Sequence, residues 1–153
     1  MADENLVRIG FELEQDEDGY PPDRWETLWA QPEKQKGLYR IDNIPFYVQG
    51  ISSGDVVAAE FNDNQLQFAH LVSPSPNSVF RLYVAEVTDM QCTRDAFRAL
   101  NCESELSNIP KLVAIEVPGS VAIEPISALL ESGALNGRWE YEWGVLRHTE
   151  GAA

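Results

Sequence analysis

Apolar residues change their spacing within this 153-residue chain at the proline-containing segment SPSPNS, residues 73–78. Before that segment, runs such as LVRIGFEL and WETLWA alternate apolar and polar residues and are separated by turn residues, which is typical of β-strands. After it, two segments with helical spacing lie between strand-like runs. The change predicts two structural units, residues 1–73 and residues 74–153.

The first unit is expected to contain five or six short strands, and such strands with frequent turn signals favour a small, strongly bent antiparallel sheet. The second unit has runs in the order β-α-β-β-α-β, with helices predicted in TDMQCTRDAFRALN and AIEPISALLESG. That order is typical of a ferredoxin-like sandwich. The predicted fold class is therefore α+β, a small N-terminal antiparallel β-barrel-like unit followed by a ferredoxin-like βαββαβ sandwich.

The segment LYRIDNIPFYVQGISSGDVVAAEF, residues 38–61, joins two strand-like runs through many polar and turn-forming residues. Gly50 and Gly54 can adopt a positive φ. Three side chains can accept hydrogen bonds from nearby backbone amides, namely Asp42, Asn43 and Asp55. These residues favour a structural corner of the barrel. The alternative is that Asp42, Asn43 and Asp55 bind a ligand or a partner, and that the rim of the corner, with Tyr47, contacts a partner.

Acidic residues exceed basic ones by 25 to 11, which gives a net charge of −14. A negative field of this size repels phosphate backbones, so nucleic acid is not an expected partner. Residues 1–30 hold nine acidic side chains and two arginines, a local charge of −7. This concentration is either a solvated surface or a docking face for a basic protein. The candidate contacts for such a partner are Asp16, Glu17, Asp18 and Asp23, together with Tyr47 and Asp55.

Two groups of aromatic residues share a strand face. Trp25 and Trp29 are four residues apart, and Trp139, Tyr141 and Trp143 alternate on the last predicted strand. We expect both groups to pack in the core or between layers. An aromatic face left exposed on the ferredoxin-like sheet would instead be a ligand platform or a dimer surface.

The sequence contains no evident catalytic or cofactor-binding motif. Ser52 and Ser53 lie in a predicted turn, whereas a nucleophile elbow places its serine between a strand and a helix. Phosphate loops and metal-ligand spacings are also missing, so we expect no cofactor, no metal and no catalytic residue. Cys92 and Cys102 lie about 15 Å apart along a predicted helix, and a disulfide needs Cα atoms within about 7 Å. Both thiols are expected to be free.

Apolar runs in this chain do not approach the roughly 20 residues that a membrane helix needs. The N-terminal sequence MADENLVRIG carries acidic residues where a signal peptide has basic ones. We therefore expect a cytoplasmic protein without a membrane partner.

Four blocks of sequence together resemble a family of small bacterial proteins, domain of unknown function 4265. The blocks are DGYPPDRWETLWA, YRIDNIPFYVQGISSGDVVAAE, LNCESELSNIPKLVAIEVP and NGRWEYEWGVL. The resemblance covers nearly the whole chain and implies no specific chemistry. Members of such families resemble products of toxin–immunity gene neighbourhoods, so the resemblance implies an immunity-like role.

These observations lead to two hypotheses of different classes. The first is a non-enzymatic cytosolic protein-binding module, most specifically an immunity-like inhibitor whose acidic and aromatic residues cover the basic active site of a toxin or enzyme. The second is a small-ligand-sensing or regulatory domain that forms a homodimer through the ferredoxin-like half. Salt-dependent binding of a basic protein supports the first, and a ligand-induced rise in melting temperature supports the second.

Overall fold

A computed structural model describes residues 6–149 of the chain. Those residues form a mixed α+β fold, with mostly antiparallel strands and two α-helices, and the predicted α+β class is confirmed. The chain divides into two compact units, the first ending at Ser75 and the second beginning at Pro76. Neither of the two described helices is long and apolar enough to cross a membrane.

The first unit contains five strands, β1 (Val7–Glu12), β2 (Trp25–Pro32), β3 (Leu38–Ile41), β4 (Val56–Asn62) and β5 (Gln65–Ser73). They form a closed barrel in the order β1-β2-β3-β4-β5. Neighbours along the chain pair antiparallel, and a parallel bridge between Gly10 and Gln67 joins β1 to β5. Because side chains alternate along a strand, one apolar set points into the barrel. Its core includes Ile9, Phe11, Leu28, Ala30, Ile41 and Val57.

The second unit contains, in chain order, β6 (Ser78–Val84), α1 (Met90–Arg98), β7 (Glu103–Leu106), β8 (Leu112–Val117), α2 (Ile123–Leu135) and β9 (Trp139–Val145). The strands form an antiparallel sheet in the order β7-β8-β6-β9. Alternate residues of β6 and β8 share one apolar core with both helices. That core includes Phe80, Leu82, Val113, Ile115, Phe97, Ile126 and Leu130.

Trp139 of β9 packs against α2 and is 3% exposed. Its Nε1–H donates a hydrogen bond to the carbonyl oxygen of Leu130, at 3.0 Å. Gly133 provides the space for the ring, since a Cβ atom at this residue would lie 2.0 Å from Trp139 Cζ2. Tyr141 and Trp143 are partly buried against the same core. The prediction that these three aromatic residues pack in the core is confirmed.

Candidate functional site

The connection between β1 and β2, residues 13–24, forms a loop that we call the acidic loop. Asp16 organises this loop, because one of its carboxylate oxygens accepts hydrogen bonds from the backbone N–H groups of Asp18 and Tyr20, both at 2.9 Å. The backbone N–H of Asp16 in turn donates to the carbonyl oxygen of Tyr20, at 2.7 Å. The side chains of Glu17 and Asp18 are exposed on a loop with a defined backbone.

Tyr20, near the end of the acidic loop, contacts Tyr47 edge to face, with ring centroids 6.0 Å apart. Tyr47 is half-buried and belongs to the segment between β3 and β4. In that segment, Val48 and Ile51 contribute to the barrel core. The structure therefore brings the candidate contact Tyr47 next to the acidic loop.

Glu26 of β2 holds the same segment in place. Its carboxylate accepts hydrogen bonds from three consecutive backbone N–H groups, those of Phe46 at 2.6 Å, Tyr47 at 2.9 Å and Val48 at 2.9 Å. Convergent backbone N–H groups of this kind bind free anions in other proteins. Here the carboxylate of Glu26 takes the place of such an anion. The sequence pattern did not identify this role, because the contact joins residues 20 to 22 positions apart.

Asp55 lies in the corner between Ile51 and β4 and is fully buried. Its carboxylate accepts hydrogen bonds from the backbone N–H groups of Ser52 at 3.0 Å and Ser75 at 2.8 Å, and from the Ser52 hydroxyl at 3.2 Å. Gly54, directly before it, has a φ of +85°, which confirms the positive φ predicted there. Because a fully buried carboxylate has no surface to offer a partner, the prediction that Asp55 contacts a partner is wrong.

The chain after β3 is also joined to β2. The side-chain oxygen of Asn43 accepts a hydrogen bond from the backbone N–H of Trp29, at 2.8 Å. The backbone N–H of Asp42 donates to the Trp29 carbonyl oxygen, also at 2.8 Å, while the Asp42 residue is exposed. Asn43 therefore acts through its side chain, but its partner is 14 residues away on β2 and not in the nearby turn that the sequence predicted, and Asp42 acts through its backbone.

Trp25 and Trp29 lie on the outer face of β2 and are 43% and 44% exposed. The prediction that they pack in the core is wrong. On a closed barrel only one face of each strand points inward, and Leu28 and Ala30 occupy the inward positions of β2. The tryptophans therefore remain outside.

On the outer face of β1, a basic residue lies opposite one of these tryptophans and an acidic residue lies opposite the other. Arg8 is directly opposite Trp29, and its guanidinium carbon lies 5.4 Å from the ring centroid. Glu12 is directly opposite Trp25, and the exposed Asp23 precedes Trp25 by two residues. The Trp29 ring thus has a cation over it, whereas the cross-strand partner of Trp25 is an acidic residue.

The second unit contains a serine–histidine contact that the sequence did not indicate. The hydroxyl of Ser78 lies 2.6 Å from Nδ1 of His148 and accepts the backbone N–H of Arg147 at 2.8 Å. The other ring nitrogen of His148, Nε2, lies 2.8 Å from the Pro118 carbonyl oxygen. Ser78 is fully buried, and these bonds attach the segment after β9 to the sheet. This arrangement favours a structural role over that of a catalytic nucleophile.

A cleft of about 380 Å³ in the same unit is lined by Ser127, Glu131, Tyr141, Trp143 and His148, among others. Its lining mixes apolar and polar side chains. Among residues 6–149, no group of three or more His, Cys, Asp or Glu side chains is placed to hold a metal ion.

The two cysteines are free thiols, as predicted. Cys92 is exposed and Cys102 is buried. Burial raises the pKa of Cys102 to about 12, with a smaller contribution from the negative charges of Glu103 and Glu116. Since the thiolate is the reactive form of cysteine, Cys102 is not an activated nucleophile at neutral pH.

Comparison with known proteins found one family that matches this chain and one solved structure that is similar to it. Residues 26–141 match the model of a family described as Domain of unknown function (DUF4265). No curated protein matches the chain. Among solved structures, the chain is similar to a hypothetical protein from Neisseria gonorrhoeae, with 18% sequence identity and a TM-score of 0.77. That likeness covers 94% of this chain and 96% of the other, and it concerns the fold alone.

Proposed function

The chain belongs to the family of the domain of unknown function DUF4265, and we propose that it is a non-enzymatic protein-binding module that binds a basic protein partner in the cytosol. The contact surface consists of Glu17, Asp18 and Asp23, supported by Asp16, with Tyr47 beside the loop. The hydrogen bonds from Asp18 and Tyr20 to the Asp16 carboxylate carry this proposal, because they order the acidic loop before any partner arrives.

Preorganisation matters here because a loop that is already ordered loses less conformational entropy on binding. The exposed carboxylates would raise the rate of encounter with a positively charged surface. The net charge of −14 extends that attraction beyond the loop itself. In its most specific form, the proposal is an immunity-like inhibitor that covers the basic active site of a toxin or enzyme.

The test is capture of a partner from the native host by three forms of the full chain. The first is wild type, and the second carries Glu17→Gln, Asp18→Asn and Asp23→Asn, which we call the neutralised-loop variant. The control changes three exposed acidic residues of the second unit, Glu86→Gln, Asp89→Asn and Glu131→Gln. Both variants remove three negative charges, so a difference in partner binding between them depends on where the charges lie.

Wild type and the control are expected to retain one basic protein in a 1:1 complex, and the neutralised-loop variant is expected to lose it. Asp16 is left unchanged because its loss would disorder the loop. Retention of the same protein by all three forms, or recovery of no basic protein by wild type, would contradict the proposal.

The alternative function is a small-ligand-sensing or regulatory domain that dimerises through the second unit. The observation that favours it is the cleft of about 380 Å³ with Tyr141, Trp143 and His148 in its lining. A metabolite screen that raises the melting temperature of wild type, but not of Trp143→Leu, would support it. A monomer whose melting temperature no metabolite changes would argue against it.

The fold supports a finer description that we also propose. The first unit is a small β-barrel, in keeping with its closed strand order. The second is a ferredoxin-like sandwich, since its elements follow the order β-α-β-β-α-β and its central strands are β8 and β6. A crystal structure of each unit expressed alone would test this description.

A further inference from the structure

We infer that Trp25 receives an arginine side chain of the partner, held between the indole ring and the carboxylates of Glu12 and Asp23. This inference rests on the proposed function and specifies the chemical group that the surface binds. Trp29 on the same strand is not part of this contact.

The chain itself contains a contact between an arginine and a tryptophan on the same two strands, four residues further along β2. Arg8 and Trp29 are cross-strand partners on the outer face of β1 and β2, and the guanidinium lies over the indole at 5.4 Å. Trp25 lies on the same face of β2, four residues earlier, and its cross-strand partner is Glu12. Within residues 6–149, the two cation–ring contacts involve Trp29 and Trp139, and neither involves Trp25.

An exposed indole is attractive to a cation through its ring quadrupole, and nearby carboxylates strengthen that preference. Glu12 and Trp25 are directly opposite, so their Cβ atoms are about 5 Å apart in an antiparallel pair. Asp23 is exposed in the acidic loop, two residues before Trp25. These carboxylates would repel an anionic partner group and would bind a cation more strongly than a neutral hydrogen-bond donor, so the surroundings of Trp25 favour a cation.

The ring leaves an exposed face on which a flat cation can stack. Trp25 lies beside Gly10, since a Cβ atom on Gly10 would be 3.5 Å from Trp25 Cε3. One part of the indole is thus supported by β1, while 43% of the residue stays exposed. A guanidinium can stack flat on an indole and donate paired hydrogen bonds to a carboxylate, whereas an ammonium group acts as a compact, strongly hydrated charge. The expected ligand is therefore arginine in preference to lysine.

The experiment measures binding of two synthetic peptides, hexa-arginine and hexa-lysine, to the full chain by titration calorimetry. The variants are Trp25→Leu and the matched Trp29→Leu, which makes the same substitution where Arg8 already covers the ring. Melting temperatures and circular dichroism first establish that both variants are folded. Wild type is expected to bind hexa-arginine more tightly than hexa-lysine.

Trp25→Leu is expected to weaken hexa-arginine binding by about 3-fold to 30-fold, and to remove the preference over hexa-lysine, as loss of a cation–π contact does. Trp29→Leu is expected to change the affinity by less than about 2-fold. Equal binding of hexa-arginine by wild type and Trp25→Leu would overturn the inference. If the neutralised-loop variant still lost its partner in that case, the proposed function would stand, whereas a chain that binds neither peptide and no basic protein would contradict both.

Discussion

Asp55 and Ser75 are joined by a hydrogen bond of 2.8 Å between the carboxylate of Asp55 and the backbone N–H of Ser75. The bond connects the corner before β4 to the chain just after β5. The same carboxylate also accepts the backbone N–H of Ser52, at 3.0 Å. The buried carboxylate of Asp55 thus holds the end of the corner in residues 38–61, while Glu26 holds its middle.

Replacing Asp55 should therefore destabilise the barrel. Asp55→Ala removes the acceptor of at least two backbone donors in a buried position, and we expect a loss of about 2–4 kcal/mol in the free energy of unfolding. Asp42→Ala is the matched control, because Asp42 is an exposed acid in the same segment. It should cost less than about 0.5 kcal/mol. Urea denaturation measures both, and similar losses in the two variants would contradict the structural role of Asp55.

Gly54 has a φ of +85°, in a region that is unfavourable for a β-branched side chain. Gly54→Val should lower the free energy of unfolding by roughly 1–3 kcal/mol. Gly54→Asn should cost less, since asparagine tolerates this region better. Thermal unfolding of the two variants separates the effect of backbone strain from the effect of adding any side chain at this position. A Gly54→Val protein as stable as wild type would disprove the corner interpretation.

Gly133 lies within α2, where alanine would ordinarily stabilise a helix by about 1 kcal/mol. The structure predicts the opposite sign, because the added Cβ atom would lie 2.0 Å from the buried ring of Trp139. We expect Gly133→Ala to destabilise the second unit by about 1–3 kcal/mol. Ser132→Ala, at an exposed position of the same helix, should be neutral or slightly stabilising. Equal melting temperatures for Gly133→Ala and wild type would show that the contact is absent.

Cys92 and Cys102 should differ in reactivity. At pH 8, a thiol reagent should label Cys92 in the native protein, and Cys102 only after unfolding, because Cys102 is buried and its pKa is raised to about 12. The folded pKa of Cys102 lies above its usual value of 9.0. Its contribution to stability is therefore fully present below pH 9.0 and is lost as the pH rises towards about 12. Rapid labelling of both thiols in the native protein would contradict this prediction.

The sequence predicted most of what depends on local spacing. Alternation in WETLWA and helical spacing in AIEPISALLESG correspond to β2 and α2. The positive φ of Gly54 and the free state of both thiols were also predictable. These features depend on residues near one another in the chain, where steric preferences act directly.

Features that depend on closure of the sheet were not predictable. Trp25 and Trp29 have the spacing of a packed strand face, but whether that face points into the barrel or away from it depends on the other strands. Likewise, the contacts of Glu26 with Phe46 and of Ser78 with His148 join distant parts of the chain. Composition gives no signal for the contact of Glu26, because acidic residues are common throughout this sequence.

In the proposed function, the ordered acidic loop attracts a basic partner. The most direct measurement is the association rate of the captured partner with wild type, the neutralised-loop variant and the charge-matched control, as ionic strength rises from about 50 to about 500 mM. Wild type and the control are expected to associate on the order of tenfold more slowly at high salt than at low salt, and the neutralised-loop variant is expected to associate more slowly than either at low salt, with a weaker dependence on salt. Association rates that are indifferent to salt, or equal in the two variants, would contradict the proposed function.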